Sequence, residues 1–277
     1  MPLVPTGDVV RPGHGVGAFN VIQLEHAYAL VRGAERAGSP VILQISENCV
    51  RYHGSLEPIA VATMAVARAA SVPVAVHLDH VESVDLVAEG IALGVGSVMF
   101  DASKLPYEEN VAATRDVVRR CHEANVFVEA ELGEVGGKDG VHAPGARTDP
   151  AEAAAFVEQT GVDALAVAVG SSHAMTTRDA VLDLDLIAAL HAAVPVPLVL
   201  HGSSGVPDDQ LTAAVEAGMT KVNIATHLNN VFTTEVRGAL AADEKLVDTR
   251  KYLGPARDAV ELEVARLLGV LGAEVLR

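Results

Sequence analysis

The stretch VHLDH, Val76 to His80, ends an apolar run with His77, Asp79 and His80. Imidazoles and a carboxylate hold metal ions or move protons, and a buried strand has no use of its own for three of them. Two more histidines stand where apolar runs give out, His173 in GSSHAM and His201 in LVLHG. One histidine at a strand end is ordinarily a satisfied surface residue. Three of them, His80, His173 and His201, match what a catalytic Zn²⁺ takes, which is three protein ligands with one position left open. Of the 11 histidines the other eight carry no such pattern, including His26 in the first helix and His191 in a later one.

These residues converge only if the chain's elements bring them together. Apolar, β-branched runs predict strands at 16–21, 40–46, 72–79, 97–102, 126–132, 164–169, 197–202 and 221–226, with amphipathic helical stretches between them. In TDPAEAAAFVEQ, Asp149 is placed to cap a helix, Pro150 suits its first position, and Glu152 falls at the capping-box position. Eight strands, each followed by a helix, predict an α/β fold: a (β/α)₈ barrel, one domain over residues 1–277, with an extra C-terminal helix in PARDAVELEVARLLGVLG. A doubly wound sheet would need a glycine-rich first turn, which FNVIQLEHA lacks.

In such a barrel the working groups sit at the C-terminal ends of the strands. There the sequence offers Asn20, Ser46, Asp79 with His80, Asp101 with Ser103, Glu131, His173, His201, and Asn223 with Thr226. Side chains alternate along a strand, so Asp79 and His80 reach one site only if the strand ends at Asp79 and the chain turns there. His77 then lies a layer deeper as a hydrogen-bonded core residue.

Gly202 to Gly205 precede a helix that starts near Pro207, and NIATH opens the next helix. Exposed amides at these two places would make a phosphate cradle. The segment GEVGGKDGVHAPG, 133–145, reads equally as a closing lid or as a plain surface loop. A metal, Asp79 and a phosphate cradle together suit proton transfer beside a carbonyl. The metal would polarise a ketone and hold the resulting enediolate, while Asp79 serves the hydroxyl at the bond made or broken. A Schiff-base mechanism would need a lysine inside the barrel. ALAVAV has none, and Lys221 reads as opening strand 8 at the wrong end.

Composition narrows the partners. Half of the 277 residues are hydrophobic, only 3% are aromatic and none is Trp, so Val, Ala, Leu and Ile must fill the core of a helix-covered parallel sheet. A net charge of −16 without a basic run disfavours nucleic acid and anionic membrane. Cys49 and Cys121 read as small buried hydrophobes. No apolar leader and no run of transmembrane length is present, so a soluble, cytoplasmic protein is expected.

From GVGAFNV to DTRKYLGPARDAV the chain resembles the class II, metal-dependent ketose-bisphosphate aldolases, the fructose- and tagatose-bisphosphate group. VHLDH, FDASKLPYEENV, VEAELGEVGG, LVLHGSSGVP and TKVNIAT carry the likeness. The resemblance implies zinc-dependent cleavage and condensation of a ketose 1,6-bisphosphate, with dihydroxyacetone phosphate and an aldehyde as the two halves. It implies His80, His173 and His201 as zinc ligands, Glu131 as the carboxylate of the metal site, and Asp79 as the acid/base at the C4 hydroxyl. Gly202, Ser204, Asn223 and Thr226 would surround one phosphate, beside a monovalent cation, Na⁺ or K⁺. Asn20 and Ser46 would contact substrate. Arg250 would take the second phosphate, often across a subunit boundary, which implies a homodimer or homotetramer.

Three departures stand out. The family's Gly-Gly-x-Glu-Asp lid, whose Glu abstracts the proton, is GGKDG here, leaving Asp139 or Glu134 for that duty. His-Gly after strand 6 is His173-Ala174, and Asp-Pro-Arg is Asp248-Thr249-Arg250. These changes leave the reaction class and open the substrate. A phosphorylated keto-deoxy acid of inositol breakdown is one alternative, and a non-catalytic sugar-phosphate-binding homologue is another.

Overall fold

Runs of Val, Ile, Leu and Ala can be buried on both faces, and here they are. The computed structural model describes residues 2–132, 147–172 and 177–272. Its eight strands are β1 (Val16–Asn20), β2 (Val41–Ser46), β3 (Val74–Val81), β4 (Ser97–Phe100), β5 (Phe127–Glu131), β6 (Ala164–Ala166), β7 (Leu198–Leu200) and β8 (Met219–Ile224). All pair in parallel with their sequence neighbours, and β8 returns to β1, matching Val16 to Lys221 and Ala18 to Asn223. The barrel is closed, so no strand edge is left unpaired.

Helices α1 (Leu24–Ala37), α2 (Glu47–His53), α3 (Glu57–Arg68), α4 (Val84–Leu93), α5 (Tyr107–Glu123), α6 (Pro150–Thr160), α7 (Leu184–Ala193), α8 (Asp208–Ala217), α9 (Thr226–Ala242) and α10 (Arg250–Val270) accompany the strands. The β2–β3 connection holds two helices where one was expected. Asp149 caps α6 as anticipated, its carboxylate accepting the amides of Ala151 and Glu152 at 2.8 and 3.0 Å. The extra C-terminal helix, α10, begins at Arg250 and packs on α1 and α9 of its own chain. It comes so close that a methyl group on Gly33 would lie 2.7 Å from the Glu261 carbonyl oxygen.

Strand alternation divides the core in two. Phe19, Leu43, Val76, Leu78, Val98 and Val128 face outward into the layer shared with the helices. Val16, Ala18, Ile42 and Ala75 form a separate cluster with Val9 and Val10 from the N-terminal segment. That segment is tied down by backbone bonds between Val74 and Pro2 and between Val4 and Val74. No helix among the described residues is long and apolar enough to cross a membrane.

His26, in the first turn of α1, tests this packing. It is buried, its Nδ1 accepts the Ile22 amide at 3.3 Å, and its ring meets Phe232 edge-on at 4.8 Å. Its Nε2 has no hydrogen-bond partner among the described residues. Burial lowers its pKa from 6.5 to about 4, against a small opposing pull from Glu25. The unfolded chain therefore takes up this proton near pH 6.5 and the folded chain only near 4. The stability of the neutral ring is complete above pH 6.5 and is lost as pH falls toward 4, by roughly 2–3 kcal/mol. His26→Asn keeps an acceptor for Ile22 and removes the titration. Urea unfolding at pH 7 and 4.5 should show a smaller acid loss in this variant than in the wild type. Equal losses would contradict the assignment.

Candidate active site

The expected turn at Asp79 takes a different form. Strand β3 continues to Val81, and its register against β4 shifts between Leu78 and Val81. At the shift His80 adopts φ 49°, a left-handed conformation unusual for a residue with a side chain. This bulge lets Asp79 and His80, neighbours that a regular strand would send to opposite faces, reach one site. Donor atoms of Asp79, His80 and His201 lie within 4.8 Å of one another, and a second group joins His80 to Asp101 and Glu131.

The two imidazoles stand edge to face, with centroids 4.8 Å apart. His80 Nδ1 donates to Asp101 Oδ2 at 2.9 Å, and its Nε2 is 3.0 Å from His201 Nδ1. Burial opposes a charge on His80. The Asp79 carboxylate, the Asp101 hydrogen bond and Glu131 outweigh it and lift the pKa to about 9. Burial likewise works against the Asp101 carboxylate, but hydrogen bonds from His80 and Ser103 win and hold it well below the usual range. His201 is fully buried, and burial lowers its pKa.

Beneath the rim lies a polar layer. Glu129 bridges His201 Nε2 at 2.8 Å and Lys221 Nζ at 2.8 Å. Burial penalises its charge, yet Lys221 and the His201 hydrogen bond keep it well below the usual carboxylate range. His77 is the hydrogen-bonded core residue expected, with Nδ1 2.8 Å from Ser97 Oγ, which in turn accepts from Thr6 at 2.6 Å. Burial first, then Lys221, lowers its pKa to about 3. The placement of Lys221 at a strand entrance is corrected: β8 starts at Met219, and Lys221 is 1% exposed inside the barrel. It is ion-paired and not set in an apolar pocket, so the case against a Schiff base stands on better ground.

Do these residues fit a metal? Asp79 Oδ1 is buried with no hydrogen-bond partner among the described residues. Because Asp101 takes the Nδ1 hydrogen of His80, its Nε2 is the atom turned toward the cluster and the one a metal would take, in the carboxylate–histidine–metal arrangement. The imidazole nitrogens of His80 and His201 are donors that suit Zn²⁺, and Asp79 stands beside them with a carboxylate oxygen available for proton transfer. They fit.

The loop after β7 supplies the cradle. Gly202 has φ 68°, and a Cβ there would lie 2.6 Å from the Ser172 carbonyl carbon, so both the conformation and the space demand glycine. A 3-10 turn follows at Ser203–Gly205. Ser204 Oγ accepts the amides of Ala225 and His227 at 3.3 and 3.2 Å, which ties this loop to the first turn of α9, opened by Thr226. Asn223 reaches His201 Nε2 with its amide nitrogen at 3.2 Å. Across the mouth Asn20 accepts from Gln44 at 3.1 Å, and Ser46 caps α2 by accepting from the Cys49 amide at 3.2 Å.

Arg250 is not with this group. It is exposed at the start of α10 and pairs with Asp248 at 2.9 Å. His173, Asp139 and Glu134 lie outside the described residues. The sequence drew notice to Asp101 without a role and to Lys221 only at a strand entrance, and Glu129 went unnoticed. The signal was two-residue spacing: Glu129 precedes Glu131, and Lys221 precedes Asn223, on the same inward face.

A (β/α)₈ barrel with carboxylates and imidazoles gathered at its C-terminal mouth belongs to the class of metal-dependent barrel enzymes. Residues 8–274 match the family described as class-II fructose-bisphosphate aldolase. A Bacillus subtilis (strain 168) protein named "Probable fructose-bisphosphate aldolase" is 40% identical over 269 residues, covering 94% of each chain. A fructose-bisphosphate aldolase of Staphylococcus aureus (strain MW2) is 39% identical over 269 residues, with the same coverage. The crystal structure of the YdjI aldolase from Escherichia coli K12 matches with a TM-score of 0.84 at 31% identity, over 96% of this chain and 95% of that one. The chain belongs to the class II fructose-bisphosphate aldolase family. It is an aldolase, a carbon–carbon lyase of a family that works with a divalent metal.

Gly202→Ala should strain the backbone by about 1–2 kcal/mol and push the loop away from Ser172. The expected result is a lower melting temperature and a raised KM for a ketose bisphosphate. An unchanged KM would separate this loop from substrate binding.

Proposed function

We propose that this protein is a zinc enzyme that cleaves and re-forms fructose or tagatose 1,6-bisphosphate, with dihydroxyacetone phosphate and an aldehyde as the two halves. One observation carries the reading: a buried Asp79 carboxylate oxygen, without a hydrogen-bond partner among the described residues, beside the converging nitrogens of His80 and His201, next to the Gly202–Ser204 loop. His80, His173, His201 and Glu131 would hold Zn²⁺. When bound, the metal supplies Lewis-acid polarisation of the substrate carbonyl.

The side chains account for the proton movements. In cleavage, Asp79 takes the proton of the C4 hydroxyl as the C3–C4 bond breaks. Asp139 or Glu134 then returns a proton to C3 of the ketone half, and condensation reverses both transfers. Gly202, Ser204, Asn223 and Thr226 bind one phosphate beside a monovalent cation, Na⁺ or K⁺, and Asn20 and Ser46 orient the sugar. Arg250, its side chain 89% exposed, serves the second phosphate across a subunit boundary in a homodimer or homotetramer. The chain works as one catalytic domain in the cytoplasm. Family and relatives favour a ketose bisphosphate over the keto-deoxy acid and over a binding-only role.

Both sugars should be cleaved, one faster, with triose phosphates as the readout. Activity should vanish on chelation and return with zinc. Turnover that survives chelation but stops with borohydride and substrate would overturn the zinc mechanism. Asp79→Asn should lower kcat by about 10²–10⁴-fold with zinc content unchanged. Loss of zinc from that variant would instead make Asp79 a ligand.

A further inference from the structure

Two buried charges on the barrel axis have no part in the chemistry above. Glu129 on β5 is 0% exposed and Lys221 on β8 is 1% exposed. Lys221 Nζ donates to Glu129 Oε2 at 2.8 Å. An ion pair this deep is not a good way to stabilise a core, since apolar residues of similar volume usually do as well or better. Its value must lie in what the pair touches.

The other oxygen of Glu129 lies 2.8 Å from His201 Nε2. An ionised carboxylate has no hydrogen to give, so the hydrogen sits on His201 Nε2. His201 Nδ1 is then the lone-pair nitrogen, and it faces His80 Nε2 at 3.0 Å. Asp101 sets His80 the same way from the opposite side. The Asn223 amide, 3.2 Å from His201 Nε2, agrees with this if its oxygen and not its nitrogen faces the ring, two atoms that placement alone does not tell apart. Lys221 has three hydrogens and no lone pair, so it can only donate, and it anchors the oxygen that His201 does not use.

We propose that Glu129 and Lys221 form a positioning pair that fixes the tautomer and ring plane of His201, so that its Nδ1 lone pair is presented to the metal shared with His80. The inference rests on the metal reading and assigns neither residue a contact with substrate.

The test replaces both charges together, so that none is left buried alone. Glu129→Leu/Lys221→Met keeps volume and removes the acceptor, while Glu129→Gln/Lys221→Met keeps an oxygen that can still accept. Zinc affinity is read by chelator competition and site geometry by the absorption bands of the Co²⁺ form, on variants shown to be folded by circular dichroism. The Leu/Met variant should bind zinc about 10–100-fold more weakly with altered Co²⁺ bands, and the Gln/Met variant should recover part of the loss. A folded Leu/Met variant with wild-type zinc affinity and bands would overturn the pair's role. A wild-type protein that takes up no zinc would instead sink the metal reading, and the inference with it. Should neither variant fold, long-range ¹H–¹⁵N spectra of the metal-free wild type decide: hydrogen on His201 Nε2 supports the pair, and hydrogen on Nδ1 refutes it.

Discussion

Everything at the mouth of the barrel depends on the left-handed backbone of His80. A regular strand delivers one side chain in two to the axis, so adjacent Asp79 and His80 cannot both enter it. The bulge breaks that rule once. A residue with a side chain at φ 49° carries about 1–3 kcal/mol of strain and persists only where its surroundings over-determine it. They do so from two sides. Asp101 bonds the ring of His80 through its side chain and the Val81 carbonyl through its amide, at 2.9 and 2.8 Å. Glu47, at the start of α2, accepts the amides of Glu82 and Ser83 at 2.7 and 3.2 Å and pins the chain just past the bulge.

The barrel interior is graded along its axis, and the grading follows from the site. At the N-terminal end the inward residues are Val16, Ala18, Ile42 and Ala75. A level higher stand Gln44, His77, Ser97, Glu129 and Lys221, all buried, and above them Asp79, Glu131, His201 and Asn223. Titratable groups at the mouth cannot rest on a purely apolar floor, because the hydrogen-bonding capacity on their inner side would go unmet. The middle layer meets part of it: Glu129 bonds His201 Nε2 at 2.8 Å, whereas His77 Nε2 and Gln44 Oε1 have no hydrogen-bond partner among the described residues. Thr6 donates to Ser97, and Ser97, having accepted that bond, has its own hydrogen for His77 Nδ1. This chain of bonds runs from the N-terminal segment to His77 in the middle layer.

The fold was legible because each strand is a short β-branched run buried on both faces, and such runs stand out between helical stretches. The reading failed by degree at β6 and β7, expected at 164–169 and 197–202 and observed as Ala164–Ala166 and Leu198–Leu200. Val167 and Val169 are fully buried beyond the strand's last residue, Val167 still bonding the Val199 carbonyl through its amide at 3.2 Å, so their composition matches that of a strand. Asp79, His80 and His201 were legible because polar groups interrupt apolar runs there. Glu129 and Lys221 were not, for they are 92 residues apart and meet only across the closed barrel. Nor was the bulge, since no glycine stands at position 80 to announce a positive φ. The roles expected of His173 and Asp139 fall on residues outside those described.

How such an acidic chain receives a sugar with two phosphates follows from where its charges lie. At physiological ionic strength a charge is screened within about 8 Å, so the total of −16 says little about a pocket. The cradle proposed for one phosphate contains only Gly202, Ser204, Asn223 and Thr226, which are neutral and donate through amides and hydroxyls. Ser204 shapes that cradle by accepting two amides at the start of α9, so a single hydroxyl joins the β7 loop to the β8 helix. Deeper in the barrel, Lys221 balances Glu129 at 2.8 Å. Asp79 and Glu131 lie beside the candidate metal position. Near the proposed site the acid is sorted: Glu129 is paired with Lys221, Asp79 and Glu131 stand at the candidate metal position, and the residues proposed to hold phosphate are neutral.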